Sequence, residues 1–92
     1  MPSKAATKLL ERMRRSKTGW KRNDLEKLYL GFGFIIKPGG SHDLVSHPDF
    51  PEIVTAVPRH VKVHEYIVTQ ALKNIDRLIK LQDERGESDG EE

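Results

Sequence analysis

The sequence contains no cysteine among its 92 residues. This absence excludes disulfide bonds, zinc–thiolate sites and thiol nucleophiles, and it fits a reducing compartment. The sequence also lacks an apolar run of the roughly 18 residues that a membrane-spanning helix needs, and it lacks the apolar core of a signal peptide. We therefore expect a soluble, cytoplasmic protein that does not associate with membranes.

The chain is also short for a protein that encloses its ligand. A domain of this length buries about 60 to 65% of its extended surface, which leaves little volume for an internal pocket. We therefore predict that residues 1–82 form a single domain that binds its ligands on the surface and uses no cofactor.

Charge is distributed unevenly, although the formal net charge is only +2. Residues 1–22 contain eight Lys or Arg and one acid, Glu11, whereas residues 83–92 contain six acids and Arg85. A basic segment of this kind suits a phosphate backbone, but an ordinary solvated helix face has the same composition. The acidic tail, residues 83–92, has no apolar side chain to bury, and we predict that it is disordered.

The first helix is predicted over residues 4–16. Its apolar side chains recur at helical spacing, and Ser3 is well placed to accept a hydrogen bond as the N-cap. Arg12 and Arg15 lie on the other, basic face. Trp20, the only tryptophan, follows a Lys-Thr-Gly break, and we predict that it is buried, with base stacking as the alternative.

A second, shorter helix follows. We predict Asn23 as its N-cap and Glu26 as the capping-box partner, with about two turns of helix before Gly31. Glycine tolerates the left-handed conformation that often ends a helix, and we expect Gly31 to adopt it.

Three β-strands are predicted next, over residues 32–37, 42–47 and 53–57. Aromatic and β-branched residues are concentrated in the first and third of these runs, and Gly or Pro separates all three. Because the links are short, we expect an antiparallel meander.

A long amphipathic helix is predicted over residues 63–82, with Ile79 on its apolar face and Asn74 on its polar face. The predicted fold class is therefore α+β, in the order α-α-β-β-β-α. The helices pack on one face of a three-stranded antiparallel sheet, and the other face is open.

The alternation of the second strand decides where its histidines point. One side of the strand carries His42, Leu44 and Ser46, and the other carries Asp43, Val45 and His47. Each side has one aliphatic residue, so the pattern does not indicate which side faces the core.

The segment Gly39-Gly40-Ser41-His42 follows Pro38 and predicts a tight hairpin turn. Its two glycines can adopt positive φ without steric cost. The turn places His42 at the start of the next strand, where an imidazole is open to solvent and can exchange a proton near neutral pH. Such a position suits acid–base chemistry on a phosphate, and it is also common for an ordinary surface histidine.

Several short motifs occur in order along residues 4–82. They are Leu9-Leu10-Glu11 in the first helix, Asp24-Leu25-Glu26 before Gly31-Phe32-Gly33-Phe34, Gly40-Ser41-His42, His47-Pro48, and Val57-Pro58-Arg59-His60. Together they resemble the HicA family of bacterial toxins. These are the RNA-cleaving halves of type II toxin–antitoxin pairs, and their fold is similar to a double-stranded-RNA-binding domain.

The resemblance implies both a function and a site. The histidine of the Gly-Ser-His motif is catalytic in the family, and His42 occupies that position here. The resemblance further implies a toxin that cleaves messenger RNA and that an antitoxin resembling HicB holds inactive. Many members carry a second histidine directly after the first, whereas this chain has Asp43, which argues against a scheme that needs two adjacent imidazoles.

The chemistry of RNA cleavage extends the set of candidate residues. RNA supplies its own nucleophile, the ribose 2′-OH, so the protein has to accept that proton, protonate the leaving 5′-oxygen and neutralise the phosphorane. His42 is the candidate acid or base, and the second proton-transfer group stays open among Ser41, His47, His60 and water. The assigned RNA contacts are Lys37, Gly39, Gly40, Ser41, Arg59, Arg12 and Arg15. Without a metal, the expected product is a 2′,3′-cyclic phosphate, and DNA should survive.

Two other functions stay open at this point. A binding module of the same fold would hold structured RNA without cutting it, and an interaction protein would use its sheet face or long helix to bind a partner. Only the two RNA functions predict an affinity for RNA that falls steeply with salt. A metal site is not predicted, because His42 and His47 project to opposite faces of the strand. We expect His47, His60 and His64 to be structural or solvated.

Overall fold

The order of elements follows the pattern of the sequence. The computed structural model describes residues 3–59 and 62–86. Its elements are α1 (Lys4–Arg15), α2 (Arg22–Gly31), β1 (Ile35–Pro38), β2 (His42–Ser46), β3 (Val54–Pro58) and α3 (Glu65–Glu84). The strands form one antiparallel sheet in the order β1-β2-β3. The predicted α+β class and the predicted order of elements are confirmed.

The N-terminus of α1 has the predicted cap. The Ser3 hydroxyl accepts a hydrogen bond from the Ala6 N–H at 3.1 Å, which satisfies one of the free donors in the first turn. Ala6, Leu10 and Met13 are buried along one side of the helix. Trp20 is also buried, as predicted, and its indole N–H donates to the Ser16 carbonyl at 2.7 Å.

The start of α2 differs from the prediction. Its N-cap is Lys21, and the Asp24 carboxylate accepts the Lys21 N–H at 3.0 Å. The prediction of Asn23 as N-cap and Glu26 as its partner is therefore wrong by two residues. The reason lies outside the local pattern, because Lys21 forms a backbone bridge with Lys62 and the Trp20 carbonyl accepts the Val63 N–H at 3.1 Å.

The predicted role of Gly31 is also wrong. Gly31 is the last helical residue of α2, and the positive φ falls on Gly33, at 88°. A Cβ on Gly31 would lie 2.3 Å from the Cβ of Ala6, so a side chain there would collide with α1. Gly31 is thus needed for the close approach of α1 to α2 and not for its backbone angle.

The register of the sheet settles which side of β2 faces the core. Val45 and Val57 are buried on the side of the helices. On the other face Ile35, Leu44 and Val54 remain 43%, 45% and 51% exposed. One face of the sheet is therefore packed and the other is open, as predicted, and His42 belongs to the open face because it alternates with Asp43 and Val45.

The helix α3 begins and ends two residues later than predicted. Two of its residues also lie on the opposite side of the helix from the one predicted. Asn74, predicted on the polar face, is buried, and its amide donates to the Tyr29 hydroxyl at 3.0 Å. Ile79, predicted on the apolar face, is 37% exposed. The last turn includes Glu84, so α3 takes in the first two residues of the predicted tail, while residues 87–92 lie outside the described part of the chain.

None of the helices in the described part of the chain is both long enough and apolar enough to cross a bilayer.

The contact between Gly31 and Ala6 predicts the cost of a single methyl group. Gly31→Ala should lower the free energy of unfolding by about 1 to 2 kcal/mol, because overpacking typically costs about 1 to 3 kcal/mol and alanine regains up to about 1 kcal/mol of helix propensity. Urea denaturation followed by Trp20 fluorescence would measure the change.

Gly40→Ala is the matched control, because a Cβ at Gly40 meets nothing within 4 Å. It should not lower the stability. In an Ala6→Gly background Gly31→Ala should cost less than it does in the wild type, since the methyl group that the new side chain strikes is already gone. A Gly31→Ala protein as stable as the wild type would contradict the packing argument.

Candidate functional site

The turn between β1 and β2 is closed by its own backbone. The Gly39 N–H donates to the His42 carbonyl at 3.0 Å, and a Cβ on Gly39 would lie 2.6 Å from that oxygen. Neither Gly39 nor Gly40 has positive φ. The turn therefore requires glycine at position 39 because the chain passes so close to it, which differs from the conformational reason that we predicted.

His42 stands at the exposed end of this turn. It is the first residue of β2, pairs with Pro58 of β3, and is exposed on the open face of the sheet. Its Nδ1 is hydrogen-bonded to the Ser41 hydroxyl at 2.9 Å. Among the described residues nothing hydrogen-bonds to its Nε2, so Ser41 orients the ring while the other nitrogen stays available to a substrate.

Lys37 shares the open face with His42. It pairs with Leu44 across the β1–β2 ladder, two residues along β2 from His42, and its side chain is exposed. Diagonal neighbours of this kind lie about 7 to 8 Å apart between backbones, which is within reach of a lysine side chain. The structure therefore places Lys37 and His42 on the same face, within reach of each other.

The two glycine amides of the turn are not equivalent. Because the Gly39 N–H is already bonded to His42, the prediction that it contacts a phosphate has to be corrected. The Gly40 N–H makes no backbone hydrogen bond within residues 3–59 and 62–86 and remains a candidate donor. Ser41 is exposed, but its hydroxyl is engaged by the imidazole.

Asp43 links this turn to the rest of the fold. Its carboxylate is held between two guanidinium groups, those of Arg22 from α2 and Arg59, which follows β3. The Arg59 Nε donates to it at 2.7 Å, and the Arg59 Nη2 donates to the Gly39 carbonyl at 2.6 Å. Arg59, a predicted RNA contact, is thereby fixed against the turn that carries His42.

The Asp43 cluster is partly desolvated. The side chains of Asp43 and Arg22 are only 13% and 10% exposed. The hydrogen bond from Arg59 is the largest of the effects that hold the pKa of Asp43 below its ordinary value; burial opposes it, and the hydrogen bond from Arg22 adds to it. The Arg22 Nη1 is buried and has no hydrogen-bond partner in the described chain. Asp43 is the less exposed of the two carboxylates that neutralise Arg22, because Glu26, 3.7 Å from its Nη2, is 39% exposed.

His47 cannot take part in chemistry with His42. It is 5% exposed, its Nδ1 accepts the Asp49 N–H at 3.1 Å, and its ring packs edge-on against Phe34 at 5.1 Å. It also follows β2 on the side that faces the core, away from His42. The structural role that we expected for it is confirmed, and it is removed from the candidates for the second proton-transfer group.

Of the remaining candidates for that group, His60 lies outside the described residues. Ser41, His60 and water therefore stay open as the second group.

Arg12 and Arg15 are exposed on α1, but they do not join the site around His42. The Arg12 guanidinium lies over the Trp20 ring, 5.2 Å from its centroid. Since α1 packs against α2 and α3 on the helical side of the sheet, its basic face and the open sheet face point in different directions. An RNA that contacted both would have to pass around the edge of the domain.

Sequence reasoning missed Arg22 as part of this region. A single arginine at the start of a helix carries no signal for burial, and its partner lies 21 residues away. The one sequence feature that bears on Arg22 is its partner Asp43, which stands directly after His42 in place of the second histidine of many HicA proteins.

The chain was also compared with known proteins. No family model, no curated protein and no solved structure matches it.

The Asp43 cluster predicts a defined dependence of stability on pH. A carboxylate whose pKa is lower in the folded protein contributes stability above its unfolded-state pKa of about 3.9 and loses it as the pH falls through the folded value. Asp43→Asn should therefore be less stable than the wild type at pH 7, and the difference should shrink below about pH 4. Denaturant titrations across this range would measure it.

Asp76→Asn is the matched control for this experiment. Asp76 forms an ion pair with Arg14 at 2.5 Å, but both side chains are about half exposed, at 54% and 47%. Its removal should change stability little at any pH, because exposed pairs are well screened. A constant difference between the wild type and Asp43→Asn from neutral to acid pH would contradict the role of the carboxylate.

Proposed function

We propose that this chain is a cytoplasmic toxin of the HicA type, an endoribonuclease that cleaves messenger RNA through His42 without a metal ion. The observation that carries the proposal is the geometry of His42. Its imidazole is exposed on the open sheet face, its Nδ1 is engaged by Ser41 at 2.9 Å, and Lys37 lies on the same face. The resemblance in sequence motifs supports the same function.

In the proposed reaction His42 removes the proton from a ribose 2′-OH. The 2′-oxygen attacks the adjacent phosphorus, the bond to the 5′-oxygen breaks, and that oxygen leaves with a proton supplied by Ser41, His60 or water. The products are a 2′,3′-cyclic phosphate and a 5′-hydroxyl. Lys37 neutralises the charge that develops on the phosphorane.

Arg59 is the second cation proposed for the phosphate. Two of its guanidinium nitrogens are bonded to Asp43 and Gly39, at 2.7 Å and 2.6 Å, which fixes the plane of the group. Its Nη1 has no hydrogen bond within the part of the chain that is described, and it remains for a phosphate oxygen. A fixed guanidinium loses less conformational entropy on binding than a mobile one.

The open face also supports an inhibitory partner. Ile35, Leu44 and Val54 are about half exposed on the face that carries His42. Grouped apolar side chains of this kind are typical of a surface that another protein covers. We propose that an antitoxin resembling HicB binds this face, and a protein that buried Leu44 would also block access to His42.

A second candidate is an RNA-binding module of the same fold that does not cleave. The observation that favours it is Asp43, which stands where many HicA proteins have a second histidine and which is committed to Arg22 and Arg59. Among the residues that the structure describes, His42 is then the one available imidazole on this face. Metal-independent cleavage by the wild-type protein would exclude this candidate.

The first prediction concerns catalysis. His42→Ala should reduce the cleavage rate by at least about 100-fold, the lower range for loss of a general acid or base. Purified wild type and His42→Ala would be incubated in EDTA with a long single-stranded RNA and with DNA of the same sequence. Denaturing gels would report cleavage, and analysis of the ends would detect the cyclic phosphate.

The outcomes of this experiment are distinct. Cleavage of RNA by the wild type alone supports the proposal. Equal cleavage by both proteins would reject His42 as the catalytic residue. Intact RNA in both, with retained RNA binding, would favour the binding module. His42→Ala should keep its stability within about 0.5 kcal/mol, so misfolding can be excluded.

The second prediction concerns the basic face of α1. Replacing Arg12 and Arg15 together by Glu should weaken RNA binding about tenfold or more, because each lost phosphate contact removes about 0.7 from the slope of log K against log salt. The single-turnover rate at saturating protein should change less. Filter binding at several salt concentrations would measure the affinity and the slope.

Replacing Lys73 and Lys80 of α3 by Glu is the matched control. Both are exposed, and the change in net charge is the same. A general effect of net charge would weaken RNA binding equally in the two double variants. In that case α1 would have no specific role as an RNA surface.

A further inference from the structure

Tyr66 is the most exposed of the large hydrophobic side chains that the structure describes, at 65%. It lies in the first turn of α3, after the N-cap His64. The two rings are nearly parallel, with 14° between their planes and 6.0 Å between their centroids. An exposed tyrosine held parallel to an imidazole forms a flat surface of the kind on which nucleobases stack.

Tyr66 also forms one wall of a cleft of about 230 Å³ between α3 and the edge strand β3. The other walls include Ala56, Val57, Ile67 and Gln70. This combination of an aromatic ring, aliphatic floor and one side-chain amide suits a flat heterocycle, which stacks on the ring and hydrogen-bonds through its edge.

The cleft lies along a path that leads from His42. Pro58 is the direct partner of His42 across the β2–β3 ladder, one strand spacing of about 5 Å away. Pro58 and Lys62 line a shallow depression that shares Val57 and Ile67 with the cleft. From His42, Pro58 and the depression beside it therefore lead across the β3 edge to the cleft that Tyr66 borders.

The charge along this path suits a polyanion. Arg59 and Lys62 are both exposed between the His42 end of the sheet and the start of α3, and Glu65 is the acidic neighbour of Tyr66. A protein partner that covered Tyr66 would place its apolar contact beside Lys62. An RNA strand instead brings phosphates to Lys62 and to the Nη1 of Arg59, whose other nitrogens are bonded to Asp43 and Gly39.

We propose that Tyr66, backed by His64, is a stacking site for one unpaired base of a single-stranded RNA whose neighbouring phosphate is bound at His42. The inference rests on the proposed function and adds to it the class of substrate, an unpaired strand. A base inside a duplex cannot reach Tyr66, because both of its faces are already stacked. The site binds any base, with preference set by stacking strength.

The test is a binding experiment that does not depend on cleavage. In the full-length His42→Ala protein, Tyr66→Leu should weaken binding of a short unstructured RNA about five- to tenfold, the lower range for loss of one base–aromatic stack. Tyr66→Phe keeps the ring and should stay within about twofold. Ile79→Ala, on the same helix and 37% exposed, is the control for loss of apolar surface and should bind like the parent.

A set of RNAs with the base removed at one position each completes the test. At one position, removal of the base should weaken binding to the His42→Ala parent, which keeps Tyr66. The same removal should not weaken binding to the Tyr66→Leu variant any further, because the two changes remove the same contact. Independent, additive losses at every position would overturn the stacking site.

Two further results separate this inference from the proposed function. RNA binding that Tyr66→Leu leaves unchanged would overturn the stacking site alone, and loss of self-association in that variant would assign the surface to contact between copies. No RNA binding by any protein of the set, including the unaltered chain, would overturn both.

Discussion

The Asp43 carboxylate is the point at which four segments of the chain are joined. It holds Arg22 from α2 and Arg59 from the segment after β3, and Arg59 in turn holds the carbonyl of Gly39 in the β1–β2 turn. The side chain of Arg22 is 10% exposed, so the ion pair connects the packed layer to the open end of the sheet. Through this one carboxylate, the position of the turn that carries His42 is tied to the position of α2.

This arrangement restrains an exposed turn in a small domain. Turns and strand ends are usually the mobile parts of a fold, because few buried contacts restrain them. Here the turn is closed by the Gly39 hydrogen bond to His42 and held from the side by Arg59. The same cluster orients Arg59, so that this one of the two cations proposed to meet a phosphate is in place before it arrives.

Much of the fold was predictable because it depends on local patterns. Helical periodicity, the N-cap at Ser3 and the Gly and Pro residues between the strands predicted three helices and three strands in the observed order. The errors concern contacts between distant segments. Gly31 is glycine because Ala6 passes over it, and Asn74 is buried because it finds the Tyr29 hydroxyl 45 residues away. Neither contact can be predicted from the residues that neighbour Gly31 or Asn74 along the chain.

In the candidate site, too, local features could be predicted from the sequence, whereas features that depend on distant contacts could not. The exposure of His42 and its neighbour Lys37 could be predicted from the strand and turn, but the choice of face could not, because each side of β2 carried one aliphatic residue. The choice depends on the rest of the segment, since Val45 packs in the core and His47 is buried against Phe34. Burial of His47 therefore fixes His42 on the open face, as the two are five residues apart on an alternating strand.

The separation of the open face from α1 bears on how the proposed toxin would be inhibited. A partner that covers Ile35, Leu44 and Val54 occupies the face of His42, yet it leaves the basic face of α1 exposed on the helical side. Inhibition by such a partner would then block the chemistry without removing all affinity for RNA. An inhibitor that competed only for the basic face would act in the opposite way, because His42 would remain open to any strand that reached it through Lys37 and Arg59. The position of the exposed apolar side chains favours the first arrangement, since apolar surface rather than charge is what a stable protein–protein contact buries at its centre.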